Sequence, residues 1–192
     1  MQTIIDFILE LEKLKGVTRK TKPLGLDRYE NSAEHSWQLC LVAISLACYA
    51  EKPVDLNRVI RMLLVHDLGE IDTGDTMAFI EEGLAERKRA EQVAVRRMFS
   101  LLPQDAGSDL LAVWLEFETG ETPEARFAHA VDRAMPVLIN VNNYGQSWRE
   151  NLISYERVVK RIEPEIKAGC PALWEYVRVR LEEARGKGYF PE

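Results

Sequence analysis

The residues that could do chemistry gather in one stretch, Val65-His66-Asp67-Leu68-Gly69-Glu70-Ile71-Asp72-Thr73-Gly74-Asp75. An apolar helix, Val59-Ile60-Arg61-Met62-Leu63-Leu64-Val65, runs straight into it. A carboxylate beside an imidazole at such a helix end is costly to desolvate unless a metal, a proton or a cation completes the site. His66 and Asp67 therefore read as metal ligands in need of partners. Glu70 follows His66 by four residues and Asp67 by three, so all three can face one pocket at the helix end. Gly69 and Gly74 let the backbone turn tightly, which leaves Asp72, Thr73 and Asp75 on a loop at the mouth.

Two further residues are candidates to join them. His35 falls in the first turn of a helix that Asn31 or Ser32 can cap, and it reads as a surface or capping group unless His66 is its neighbour in space. Asp132 is a carboxylate in an almost wholly apolar run, Ala128 to Ile139. It reads either as half of a salt bridge, with Arg126 or another arginine, or as a metal ligand. His129, three residues earlier, reads as a group behind the site or on the surface.

Placed around one ion, His35, His66, Asp67 and Asp132 account for every one of these oddities. Two imidazoles and two carboxylates suit Mn, Fe, Co, Ni or Zn better than Ca, with Mg possible. Four protein ligands on an octahedral ion leave two positions for water or substrate. Such an ion polarises a phosphoryl oxygen and acidifies a bound water. Glu70, not needed as a ligand, is placed to move a proton.

Charge adds a second feature. From Lys13 to Glu30 there are six cations (Lys13, Lys15, Arg19, Lys20, Lys22, Arg28) and two anions (Asp27, Glu30), a net of +4 inside a chain of net charge −6. That stretch is either a solvated surface loop or an anion clamp in which Arg19 or Arg28 makes a forked contact to phosphate. The overall acidity argues against a general nucleic-acid-binding surface.

The elements that must position these residues are helical. Apolar periodicity predicts helices over 3–15 with Thr3 as N-cap, from Ser32 to about Ala50, and from Leu56 to about Leu68 with Asp55 as cap. Further helices are expected over Ala85–Leu102, Asp109–Glu118, after Thr122-Pro123-Glu124, over Trp148–Lys167 and over Pro171–Arg185. Met77 to Gly83 is ambiguous, with a short helix as one reading, and the tail from Gly186 reads as an irregular cap. Strand signals are nearly absent, so the fold class is all-α, a helical bundle with the site between helices.

With 192 residues, no repeat and no linker, one domain over 1–192 is expected. Its core covers about 30–140, the basic loop 16–31 and the C-terminal helices about 148–185. No apolar run reaches the roughly 20 residues of a membrane helix. The N-terminus lacks the basic start of a signal peptide. Cys40, Cys48 and Cys170 read as reduced core residues of a cytoplasmic protein. Glycine-rich phosphate loops, C-x-x-C pairs and the G-x-S-x-G elbow are missing.

The order His35, His66-Asp67, Asp132 resembles the HD-domain superfamily of metal-dependent phosphohydrolases. Two longer stretches narrow the resemblance to its 5′-deoxynucleotidase group. Glu30-Asn31-Ser32-Ala33-Glu34-His35-Ser36 is similar to that group's E-S/N-V-A/S-E-H-S segment, and His66 to Asp75 to its H-D-x-x-E-x-x-x-G-D. The likeness covers roughly residues 1–140. It implies metal ligands at His35, His66, Asp67 and Asp132, a catalytic acid/base at Glu70, and at Asp75 a group that positions water or sugar. It also implies a substrate-phosphate arginine at Arg19. Where several relatives follow that arginine with tryptophan, this chain has Lys20.

The expected activity is hydrolysis of (deoxy)nucleoside 5′-monophosphates by a homodimer, with Trp148, Trp174 and Phe190 as exposed apolar residues suited to the interface. Pyrophosphate or phosphodiester hydrolysis of a signalling nucleotide is an alternative, and a non-catalytic metal- and nucleotide-binding module is another. Neither a nucleic-acid polymer nor a membrane is expected as a partner.

Overall fold

The computed structural model describes residues 1–80 and 82–191, and within them the regular structure is helical apart from one isolated β-bridge, Thr18 to Asn31. The helices are α1 (Gln2–Leu11), α2 (Ser32–Leu46), α3 (Leu56–Val65), α4 (Glu70–Thr73) and α5 (Leu84–Phe99). They continue as α6 (Gln104–Thr119), α7 (Pro123–Asn142), α8 (Gln146–Glu150), α9 (Tyr155–Gly169) and α10 (Pro171–Gly186). None is long and apolar enough to cross a membrane.

Local chemistry explains most of the boundaries. Asn31 and Glu34 form a reciprocal capping box at the start of α2. Asp55 accepts from the amides of Asn57 and Arg58 to start α3, and Thr122 accepts from Ala125 ahead of Pro123 to start α7. Thr3, by contrast, lies inside α1, which begins from Met1 without a side-chain cap. The helix from Thr3 also ends early: Glu12–Gly16 tightens into a 3-10 turn.

Three expectations are corrected by packing. The gap expected between Leu102 and Asp109 is mostly helix: Gly107 lies inside α6, where an added Cβ would fall 2.4 Å from the Phe99 carbonyl oxygen. The residue permits a close crossing with the end of α5 rather than ending a helix. The stretch 148–167 is two helices, because Leu152 takes φ 53° and Ser154 caps a new start by accepting from Arg157. Trp148 and Trp174 are not interface residues: each is 2% exposed, and Trp148 stacks on Phe190 with ring centroids 4.3 Å apart. Cys40 and Cys170 are buried as expected, but Cys48 is exposed. Met77–Ile80 forms turns rather than a helix, and residue 81 lies outside the described residues.

The core is organised on α7. Its small residues Ala128, Ala130 and Ala134 are fully buried, and it packs against α9 most extensively, then α3, α10, α2 and α6. Gly169 makes the α7–α9 contact possible, since a Cβ there would lie 2.0 Å from the Arg126 carbonyl oxygen. Because α2, α3 and α7 meet side by side, the residue at the start of α2, the end of α3 and the middle of α7 can converge.

Candidate metal centre and its cavity

Those three positions are His35, His66 and Asp132. Each offers a donor atom, and the donors lie within 4.8 Å of one another, all in buried side chains. His66 closes α3, and the Trp114 indole donates to its carbonyl at 3.2 Å. Its ring Nδ1 lies 2.9 Å from the Leu63 carbonyl oxygen, which can only accept, so Nδ1 carries the hydrogen. The lone pair then belongs to Nε2, which is buried and has no hydrogen-bond partner. An orphaned imidazole nitrogen beside an imidazole and a carboxylate is the donor set a divalent ion of the Mn-to-Zn series accepts. The residues fit such an ion.

His35 sits one turn into α2, with Nε2 3.0 Å from Asp132 Oδ1. Burial and the Arg19 charge push its pKa down, but bonding to Asp132 and Glu30 outweighs them and the net shift is upward. Asp132 is tied on its other oxygen by Arg133 Nη1 at 2.9 Å, and Arg133 Nε donates to Glu165 at 2.7 Å. Burial pushes the Asp132 carboxyl up, yet Arg133 and His35 overcome it and hold it well below the usual carboxylate range. Asp132 thus makes its salt bridge on one oxygen, with Arg133 rather than Arg126 as the arginine, and turns the other to His35. His129 lies behind: its Nε2 is 2.7 Å from the Phe117 carbonyl oxygen, and the Phe117 ring separates it from His66.

Asp67 stands at the rim of this cluster. Its Oδ1 is 3.1 Å from His66 Nε2, and its Oδ2 accepts from Arg19 Nη1 at 3.0 Å. Arg19 also approaches Asp75 at 3.7 Å. Glu70 accepts from Ser32 Oγ at 2.7 Å. Burial first, then the charges of Asp67 and Asp75, push the Glu70 carboxyl up to about 9, so it holds a proton at neutrality. Asp75 is shifted upward as well, chiefly by burial.

Arg19, His66, Asp67, Glu70, Asp75, Asp132 and Arg133 line one cavity of about 650 Å³, enough for a small organic ligand, and His35 is not part of its wall. Its lining is mixed, with carboxylates from Asp67, Glu70 and Asp75 and apolar surface from Phe79, Val137 and Trp148. The structure does not bring Arg28 there. It pairs on the surface with Glu34 and donates to the Tyr29 carbonyl. Sequence reasoning gave no role to Glu30, Arg133 or Glu165, whose partners are distant in the chain or hidden by ordinary charge patterning.

A family model for the HD domain matches residues 11–174, and the chain belongs to that family. Among curated relatives it is 26% identical over 138 residues to the human 5′-deoxynucleotidase HDDC2, covering 71% of this chain and 66% of that protein. The chain therefore spans just under two thirds of the human relative. The Dictyostelium discoideum protein of the same name is 26% identical over 197 residues, covering 100% of this chain and 93% of the relative. A solved structure of a predicted metal-dependent phosphohydrolase from Magnetospirillum magnetotacticum superposes with a TM-score of 0.93 at 39% identity. It covers 100% of this chain and 95% of that one.

Proposed function

We propose that this chain is a divalent-metal-dependent phosphomonoesterase that hydrolyses (deoxy)nucleoside 5′-monophosphates to nucleoside and phosphate. The observation that carries the reading is the unpartnered His66 Nε2, buried beside His35 and Asp132, with Glu70 opening on the same cavity. The names of the relatives support the substrate class.

His35, His66, Asp67 and Asp132 would hold the ion, one of Mn, Co, Fe, Ni or Zn. When bound, it polarises a phosphoryl oxygen and lowers the pKa of a water. The chain supplies the rest. Arg19 presents a guanidinium to the ester phosphate, a geometry suited to forked contacts. Glu70 delivers its proton to the nucleoside oxygen as the P–O bond breaks, and the water that adds to phosphorus gives up a proton that restores the Glu70 carboxyl. Asp75, on the loop beside Arg19, orients water or sugar. Phe79, Val137 and Trp148 in the cavity wall offer apolar surface to the base. Lys20, which lines the cavity directly after Arg19, bears on the choice between ribose and deoxyribose.

A homodimer belongs to the same proposal. With Trp148 and Trp174 buried, the exposed side chains Trp37, Leu41 and Ile44 of α2 are what a second copy would cover, and light scattering of the purified chain tests it.

The test of the activity is phosphate release from stripped protein re-supplied with Mn, Co, Zn or Mg, on paired ribo- and deoxyribonucleoside 5′-monophosphates. Metal-dependent release is expected. No release from any monophosphate, with metal demonstrably bound, would overturn the reading.

A further inference from the structure

Glu30 is buried, 2% exposed, yet it is neither one of the clustered donors nor part of the cavity wall. A carboxylate withdrawn from water needs charged partners. Its Oε2 has two, Arg19 Nε at 3.2 Å and His35 Nδ1 at 3.5 Å. None of these three atoms has a hydrogen-bond partner elsewhere among the described residues.

The backbone dictates the meeting. Residues 17–21 pair with 30–32: Arg19 N donates to Glu30 O at 2.8 Å, Glu30 N to Thr21 O at 2.8 Å, and Ser32 N to Val17 O at 3.0 Å. Arg19 is thereby set against Glu30, and the capped start of α2 carries His35 in just beyond.

We propose that Glu30 is a positioning residue shared by the metal centre and the phosphate site, one carboxylate oxygen fixing both the His35 tautomer and the direction of the Arg19 guanidinium. The inference rests on the phosphohydrolase reading above. His35 Nε2 faces Asp132, so Nδ1 is the nitrogen turned to Glu30. A carboxylate there keeps the hydrogen on Nδ1 and leaves the Nε2 lone pair for an ion. On the other side, holding Nε aims Arg19 Nη1 toward Asp67 and Asp75 at the cavity. Removing the Glu30 charge therefore disturbs two sites, although Glu30 touches neither ion nor ester.

The experiment uses the full chain loaded with Zn²⁺, with Glu30→Gln, Glu30→Ala and Glu30→Asp beside it. Zn²⁺ affinity is measured by chelator competition, inorganic phosphate affinity by titration, and the ring tautomers by ¹⁵N imidazole NMR, which is tractable with three histidines. Glu30→Gln is expected to weaken Zn²⁺ by about tenfold or more. It should also weaken phosphate and lose the Nδ1–H signal of His35, with Glu30→Asp recovering part of each. Unchanged Zn²⁺ affinity and tautomer overturn the proposal, and so does a change confined to one of the two ligands. If the variants fail to fold, the wild-type spectrum decides: His35 with its hydrogen on Nε2 overturns it. A wild type that binds neither Zn²⁺ nor phosphate brings down the phosphohydrolase reading itself, whereas one that binds both but is indifferent to Glu30 brings down only this inference.

Discussion

The two halves of the basic stretch before α2, 17–21 and 22–28, each carry two cations and have opposite fates. The half around Arg19 is stitched to residues 30–32 by three backbone hydrogen bonds and buries its arginine among Glu30, Asp67 and Asp75. The tip, from Lys22 to Arg28, has no such pairing and spends its cations on exposed partners, Lys22 on Asp27 and Arg28 on Glu34. Exposed pairs like these contribute about 0–1 kcal/mol because water already solvates both charges. Buried ones are costly to break, because the partner left behind stays desolvated. The stretch therefore divides into a buried half and a solvated half, and local backbone pairing separates them.

The largest expected effect lies where the paired half abuts the helical donors. His35→Ala or Asp132→Ala should lose stoichiometric metal, read by elemental analysis, and metal-dependent turnover with it. A His35→Ala protein that still holds one ion per chain would sink the four-donor site. Glu70→Gln should keep the metal and lower kcat by about 10²- to 10⁴-fold. An active Glu70→Gln enzyme refutes the proton-transfer role.

The comparison between the halves is tested most directly by the two arginines. Arg19→Ala should raise KM for a monophosphate about 10- to 100-fold with metal content unchanged, while Arg28→Ala stays within about twofold of wild type. Equal effects from both would erase the distinction.

The smallest effect concerns the cavity wall away from the loop. Burial, then the nearby Glu118 charge, pushes Glu91 up from 4.5 to about 7. A carboxyl raised on folding contributes fully below its unfolded pKa and loses that contribution as pH rises through the folded value. Between pH 5 and 8 the metal-free protein should lose about 2 kcal/mol through this group, less than full burial implies because the side chain keeps some exposure. Thermal melts of wild type and Glu91→Gln, compared across that window, check it: the difference between the curves should close as pH falls.

Much of the site was legible because its residues break local rules. His66-Asp67 ends an apolar helix, and Asp132 interrupts another, so each demands a partner whatever the fold. Asn31, Asp55 and Thr122 were readable as caps because capping acts within three or four residues. The errors fall where a contact partner is distant in the chain. Gly107 looks like a break in sequence and is a close crossing in space. Trp148 and Trp174 look available for a partner and are covered by the chain's own tail and helices.

The sequence by itself determined that the chain would be helical and where most helices begin. It also singled out the His, Asp and Glu residues that cannot be justified by packing alone. These follow from periodicity, capping and desolvation, all of which act at short range or on single residues. Only the tertiary structure decided which arginine reaches the cavity, which oxygen of Asp132 faces His35 and which faces Arg133, and that Glu30 stands between His35 and Arg19. Those outcomes depend on how α2, α3 and α7 cross, and crossing is set by side chains far apart in the chain whose shapes fit only once all three helices are in place.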